Sequence, residues 1–204
     1  MENISKSAKK ISMKDRTVWK MKRALARKYD ALADAYDRLY GDEQEAKIRS
    51  ALESLQLRET DLVLDVGCGT GILFPYVQEK VGFVVGLDIS RGLLERARNR
   101  SRYSSKVSLI RADADYLPFL DEVFDRLFAV TVLQNVPDSK VTLNQILSKA
   151  KREALLVMTG LKKSFTKDQF LRILFEAGLD IVDIKENGRL LGFVALCQKK
   201  NKYK

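Results

Sequence analysis

Apolar residues in this chain come in short blocks, and the spacing inside the blocks alternates between two kinds. The segments "DLVLDVG" (61–67), "VGFVVGLDIS" (81–90), "KVSLIRAD" (106–113), "FDRLFAVTVL" (124–133) and "EALLVMTG" (153–160) are largely apolar and rich in Val, Ile and Leu. Such near-continuous runs predict strands buried on both faces. Between them lie "GILFPYVQEK", "RGLLERARNR", "DSKVTLNQILSKAK" and "KDQFLRILFEAG", whose apolar residues recur three and four apart and predict helices. Ser90 is placed to cap the second of these helices, and Thr166 with Gln169 to form a capping box before the last. The chain ends in "LDIVDIKENGRLLGFVALCQ", read as two strands joined by a tight turn at Asn187-Gly188. Alternating strands and helices predict an α/β fold, a doubly wound, mostly parallel sheet with an antiparallel hairpin strand at its end. Upstream, Tyr29, Leu32, Ala33, Tyr36, Leu39 and Tyr40 share one helical stripe, with Tyr40 expected in the core. Gly41 is read as the end of that helix, and Asp42 with Glu45 as the start of the next.

Composition adds constraints. The chain has 204 residues, 46% hydrophobic and 31% charged, enough for one buried core. It contains no histidine, which excludes His-based triads and His-ligated metals, and no metal site is expected. Two cysteines, Cys68 and Cys197, lack metal-binding or redox spacing and read as free thiols of a reducing compartment. No uncharged run reaches the roughly 20 residues of a membrane span, and the N-terminal residues have no apolar leader core, so the expectation is cytoplasmic. The net charge of +10 sits at the ends. Residues 1–28 carry +8 and residues 199–204 carry +4, leaving about −2 for residues 29–198. The organisation expected is a basic extension (1–28), one domain (29–198) and a basic tail (199–204).

The chemistry is concentrated in "VLDVGCGTGILF" (63–74), where Gly67, Gly69 and Gly71 follow a buried strand. A strand running through glycines into a helix is where a doubly wound sheet binds a nucleotide, with ligand atoms expected close to the backbone N–H groups. Asp88, twenty-one residues beyond Gly67 at the end of the next strand, can accept both hydroxyls of a ribose. The spacing is G-x-G-x-G rather than the dinucleotide G-x-G-x-x-G, and Asp65 precedes it. A carboxylate there repels a pyrophosphate and suits a ligand bearing an ammonium and a sulfonium group.

These segments resemble the class I S-adenosylmethionine-dependent methyltransferases. "VLDVGCGTG" is similar to their first motif, "VVGLDIS" to their second, "RADADYLPF" to their third and "FDRLFAVTVLQNVPD" to their fourth-strand segment. The resemblance implies a seven-stranded sheet with its last strand antiparallel, and S-adenosylmethionine as cofactor. It further implies cofactor contacts from Asp65, Gly67, Cys68, Gly69, Gly71, Asp88, Ile89, Asp113, Ala114, Val130, Gln134 and Tyr29, with Asp113 on the adenine amino group. Tyr36 and Asn135 are the residues placed against the substrate, and no catalytic residue is singled out.

The acceptor leaves less trace. No "NPPY"-type tetrapeptide or Pro-Cys follows the fourth strand, which argues against the DNA-type amine and cytosine C5 subclasses. The primary expectation is methyl transfer to an O or N atom of a small molecule, as in quinone-biosynthesis relatives. One alternative is an RNA or tRNA substrate held by the basic arm through Lys20, Lys22, Arg23, Arg27 and Arg102. Another is a cofactor-binding regulatory or scaffold subunit. The resemblance also implies that a small activator subunit could dock on the third strand, a sheet edge in this family.

Overall fold

A computed structural model describes residues 13–188 and 190–200. The first twelve residues of the expected basic extension and residues 201–204 of the tail lie outside the described residues. Seven strands form one sheet in the order β3-β2-β1-β4-β5-β7-β6: β1 Leu62–Val66, β2 Phe83–Asp88, β3 Val107–Arg111, β4 Phe124–Ala129, β5 Ala150–Leu161, β6 Leu179–Lys185 and β7 Gly192–Lys199. The first five run parallel, and β7 inserts antiparallel between β5 and β6.

Six helices accompany the strands: α1 Met13–Leu32, α2 Tyr36–Leu52, α3 Phe74–Val77, α4 Arg91–Arg100, α5 Ser139–Lys149 and α6 Lys167–Glu176. Successive strand residues point to opposite faces, so neighbours feed two separate cores. Val63, Phe128 and Val157 pack with Ile48 and Ala51 of α2, Phe74 of α3 and Ala97 of α4. Leu64, Leu127 and Leu156 pack with Leu143 and Ile146 of α5 and Phe170 and Leu174 of α6. This two-sided burial is why the strands read as almost uninterrupted apolar runs.

The expected caps form: Ser90 Oγ accepts from Leu93 N, and Thr166 with Gln169 completes a capping box; Asp138 caps α5, accepting from Lys140 N and Val141 N. Several expectations fail. Gly41 lies within α2, and the helical break falls at residues 33–35 instead, where Asp34 reaches across to Arg96 of α4. Glycine costs a helix about 1 kcal/mol, and the buried α2 face of Gln44, Lys47, Ile48, Ser50 and Ala51 carries the helix through it. Asp42 and Glu45 therefore cap nothing. Leu39 and Tyr40 are exposed rather than core, because the stripe they were assigned to is cut by that break.

The "GILFPYVQEK" segment keeps only one helical turn, α3. At the C-terminus, β6 and β7 are joined by residues 186–191 rather than by a two-residue turn. Asn187 organises this loop itself, its Oδ1 accepting from Leu190 N at 3.1 Å. Finally, α1 is continuous across residue 28, so the boundary drawn there falls inside a helix.

Helix α1 lies over the C-terminal ends of β1–β3 and is docked at two points. Near its end, Asp30 accepts from Ser90 Oγ at 2.7 Å and Gly92 N at 2.9 Å, at the positive N-terminus of α4. Nearer its start, Lys22 Nζ bridges Asp113 Oδ2 at 2.7 Å and Asp115 Oδ2 at 2.5 Å in the loop after β3.

Candidate functional site

The sheet order reverses between β1 and β4, each strand's connection leaving in the opposite direction, and a crevice opens at their C-terminal ends. A cleft occupies it, taking in about 690 Å³ that includes space open to solvent. Its floor is the turn after β1, its walls the ends of β2 and β4 and the loop after β3, and its roof α1 and the start of α2. Gly67, Gly69, Asp88, Ile89, Asp113, Ala114, Val130, Tyr29, Tyr36 and Asn135 all line it. Of the residues expected at the site, these ten are brought together.

The turn is built differently from a phosphate cradle. Gly67 N and Cys68 N both donate to Leu87 O, at 2.7 and 2.9 Å, Gly69 N to Asp88 Oδ2 at 2.9 Å, and Gly71 N to Cys68 O at 2.9 Å. The amides expected to meet a ligand are thus spent within the protein. The four-residue α3 begins only at Phe74, so the turn itself leads into no long helix. A pyrophosphate finds neither free donors nor a long helix dipole in the turn. What the turn offers is close approach. Gly67 has φ +70, and a Cβ there would stand 2.7 Å from Val132 Cγ2. Gly71 serves packing instead: it has φ +75, its Cβ would lie 2.5 Å from the Phe74 ring, and it does not line the cleft.

Two carboxylates flank the turn. Asp88 is buried and also accepts from Ser90 N at 2.8 Å, so each of its oxygens keeps one lone pair for a further donor. Burial raises its pKa against the hydrogen bonds that lower it. Asp65, 3% exposed, sits beneath the turn in a smaller pocket that it shares with Cys68, Gln44 and Tyr36. Burial, reinforced by the nearby Asp88 charge, pushes its pKa up to about 8. No cationic side chain among the described residues neutralises it.

Tyrosines close the roof. Tyr29 meets Tyr36 edge to face at 6.1 Å, and Tyr36 leans on Tyr40 at 5.2 Å. Burial and then the Asp88 charge raise the Tyr29 pKa, against a hydrogen bond with Asn135 that lowers it. Burial raises Tyr36 as well. Both phenols therefore stay protonated at neutral pH and act as donors or apolar walls.

Three expectations change. Lys22 is no phosphate contact: it is buried in the bridge to Asp113 and Asp115, and those ion pairs outweigh desolvation to raise its pKa. Asp115, the second carboxylate of that bridge, is buried and accepts from Thr142 Oγ1. Gln134 does not line the cleft but a groove between α1 and the loop after β4, with both amide atoms buried and without partners. Arg102 lies away from the site, with its guanidinium over the Tyr103 ring.

Other residues had no signal in the sequence. Thr131 lines the cleft at φ +64, its N–H held by Thr159 Oγ1 at 2.7 Å and its hydroxyl by Gln44 and the buried Lys47. Its carbonyl accepts from Asn135 Nδ2 at 2.7 Å, so residues of α2 help fix the cleft wall around Asn135.

An α/β sheet with an acid-flanked glycine turn at its switch point defines a nucleoside-binding domain that is not built for phosphate. Comparison with known proteins narrows this. Residues 64–158 match the family model of the methyltransferase domain, and the chain has the class I S-adenosylmethionine-dependent methyltransferase fold. A demethylmenaquinone methyltransferase of Symbiobacterium thermophilum is 31% identical over 157 residues, covering 72% of this chain and 62% of that protein. Among solved structures, Burkholderia thailandensis 1,6-didemethyltoxoflavin-N1-methyltransferase superposes with a TM-score of 0.78 at 16% identity, covering 90% of this chain and 91% of that one. A complex of the Haloferax volcanii Trm112 methyltransferase activator contains a chain with a TM-score of 0.73 at 18% identity, covering 85% and 98%. The chain spans 38% to 62% of the first curated relatives it matches.

Proposed function

We propose that this protein transfers the methyl group of S-adenosylmethionine to an oxygen or nitrogen of an acceptor. The observation that carries the reading is Asp65, a carboxylate buried beneath a glycine turn with no cation of the described residues beside it. A ligand with an ammonium group supplies the missing charge, and a carboxylate so placed excludes a dinucleotide pyrophosphate. Asp88 takes the ribose hydroxyls, Asp113 and Ala114 the adenine edge, and Gly67 lets the ligand lie against the backbone. Ile89 and Val130 pack the ligand, while Tyr29 and Tyr36 roof its methionine end and exclude water. When bound, S-adenosylmethionine supplies a methyl group on a positive sulfur, and an in-line attack needs chiefly an oriented nucleophile.

Asn135 and Tyr36 face the acceptor side and orient it through hydrogen bonds. The names of relatives that methylate demethylmenaquinone and didemethyltoxoflavin support a small-molecule acceptor. The Trm112 complex, with β3 forming an open sheet edge in this fold, supports an activator docking at that edge. A scaffold role is the weaker reading, because every carboxylate and glycine of the cofactor turn is in place. The second reading, an RNA acceptor, is favoured by the charge on α1.

Calorimetry tests the cofactor. The wild type is expected to bind S-adenosylmethionine and S-adenosylhomocysteine but not NADH, and Asp88→Ala to abolish binding. NADH binding by the wild type, or intact binding by the variant, would sink the proposal. A tritiated-methyl transfer assay against fractionated RNA, protein and metabolites then identifies the acceptor.

A further inference from the structure

The outer face of α1 carries charge that the domain leaves unbalanced. Arg16, Lys20, Arg23 and Arg27 are all exposed. At 3.6 residues per turn they fall within an arc of about 60°, over about 16 Å of helix. The other basic helix differs: on α4, Arg91 pairs with Glu95, Arg96 with Asp34 and Arg100 with Asp37. None of the four α1 cations has an acidic partner among the described residues.

Beside this stripe Trp19, 43% exposed, stands parallel to Tyr116, 65% exposed, with an interplanar angle of 1° and centroids 6.2 Å apart. Lys22 Nζ lies 5.7 and 5.3 Å from the two rings while anchored on Asp113 and Asp115. The anchor holds the rings together at the rim of the cleft, since Asp113 lines it. The opposite side of α1 is already spent on the domain, with Ala26 buried and Tyr29 facing the cleft. Among its described residues the exposed large apolar side chains are Trp19 and Met21, too few to lay a helix face into a bilayer. What it presents outward is a row of cations with a fixed aromatic plane, the chemistry that tracks a phosphate backbone and stacks an unpaired base.

We propose that the outer face of α1, with Trp19 and Tyr116, is an RNA-binding surface that brings an unpaired loop nucleotide to the mouth of the cleft. That the nucleotide is then methylated rests on the methyltransferase reading; the binding surface does not. RNA is the occupant because stacking needs bases free of a duplex, and the loops of structured RNA present them.

The test is fluorescence anisotropy of the full chain, over a salt series, with a labelled RNA hairpin bearing an unpaired loop. A fully paired RNA of the same stem and phosphatidylserine vesicles serve as competitors. Combined Arg16→Gln, Lys20→Gln, Arg23→Gln and Arg27→Gln is expected to weaken hairpin binding at least about tenfold. It also lowers the slope of log K against log salt by about 0.7 for each phosphate that is no longer neutralised. Trp19→Leu is expected to cost about fivefold or more on the hairpin and nothing on the paired stem. Unchanged affinity and slope in the quadruple variant overturn the proposal, as does wild-type binding of the paired stem or the vesicles as tight as that of the hairpin. Calorimetry with S-adenosylmethionine on the same samples separates the two readings. RNA binding without cofactor binding sinks the methyltransferase alone; cofactor binding without RNA binding sinks the surface alone.

Discussion

Replacing Asp65 by Asn should stabilise the ligand-free protein while destroying its cofactor site. The folded carboxyl titrates at about 8, against an ordinary value of 3.8. Between those values the folded state holds a proton that the unfolded chain has released, so stability falls as pH rises from about 4 to 8 and the penalty is complete above 8. At 1.36 kcal/mol per unit the site costs on the order of 4 kcal/mol at pH 7. An Asn has the shape of the protonated acid and nothing to titrate. Urea unfolding of wild type and Asp65→Asn at pH 5, 6, 7 and 8, without ligand, measures the effect. The wild-type curve should drop relative to the variant by up to about 1.4 kcal/mol per unit, leaving the variant the more stable by a few kcal/mol at pH 7. Saturating S-adenosylmethionine should narrow that gap by stabilising the wild type alone. Parallel pH profiles, or a variant less stable at pH 7, would refute the argument that Asp65 is an uncompensated buried acid.

Other consequences follow from individual interactions. Lys22→Met leaves Asp113 and Asp115 facing each other without their cation; breaking a buried pair costs about 3–5 kcal/mol, and undocking of α1 should appear as faster proteolysis within residues 13–32. Gly71→Ala, which forces an L side chain to φ +75 and into the Phe74 ring, should cost at least about 2 kcal/mol in urea unfolding. Phe170, fully buried and packed against Phe193 and Gly160, should lose about 3–5 kcal/mol on truncation to Ala, with no change in cofactor affinity beyond that loss.

The doubly wound sheet and the glycine turn with its two flanking carboxylates were legible in the chain because they rest on local and repetitive constraints. A strand buried on both faces reads as a largely apolar run, as "DLVLDVG" and "FDRLFAV" do. A chain reversal at φ +70 between such strands needs glycine, and Ser90 and Thr166 announce the helices they cap. These features depend on neighbours within a few residues, so the sequence alone specified the doubly wound α/β fold and the positions of Asp65 and Asp88. What escaped it was contact between distant segments. Lys22 reads as one more cation of a basic arm until α1 folds over the sheet and places it between Asp113 and Asp115, more than ninety positions away. Gly41 reads as a helix end until the buried face of α2 outweighs its cost. Thr131 carries no motif, yet Gln44 and Lys47 from α2 hold it in a left-handed conformation at the wall of the cleft. The tertiary structure also spent the turn's amides on Leu87 and Asp88, which the sequence reading had left free for a ligand. Local rules set which residues turn, cap and bury; the long-range pairing of charges and donors decided which of them remain free to bind.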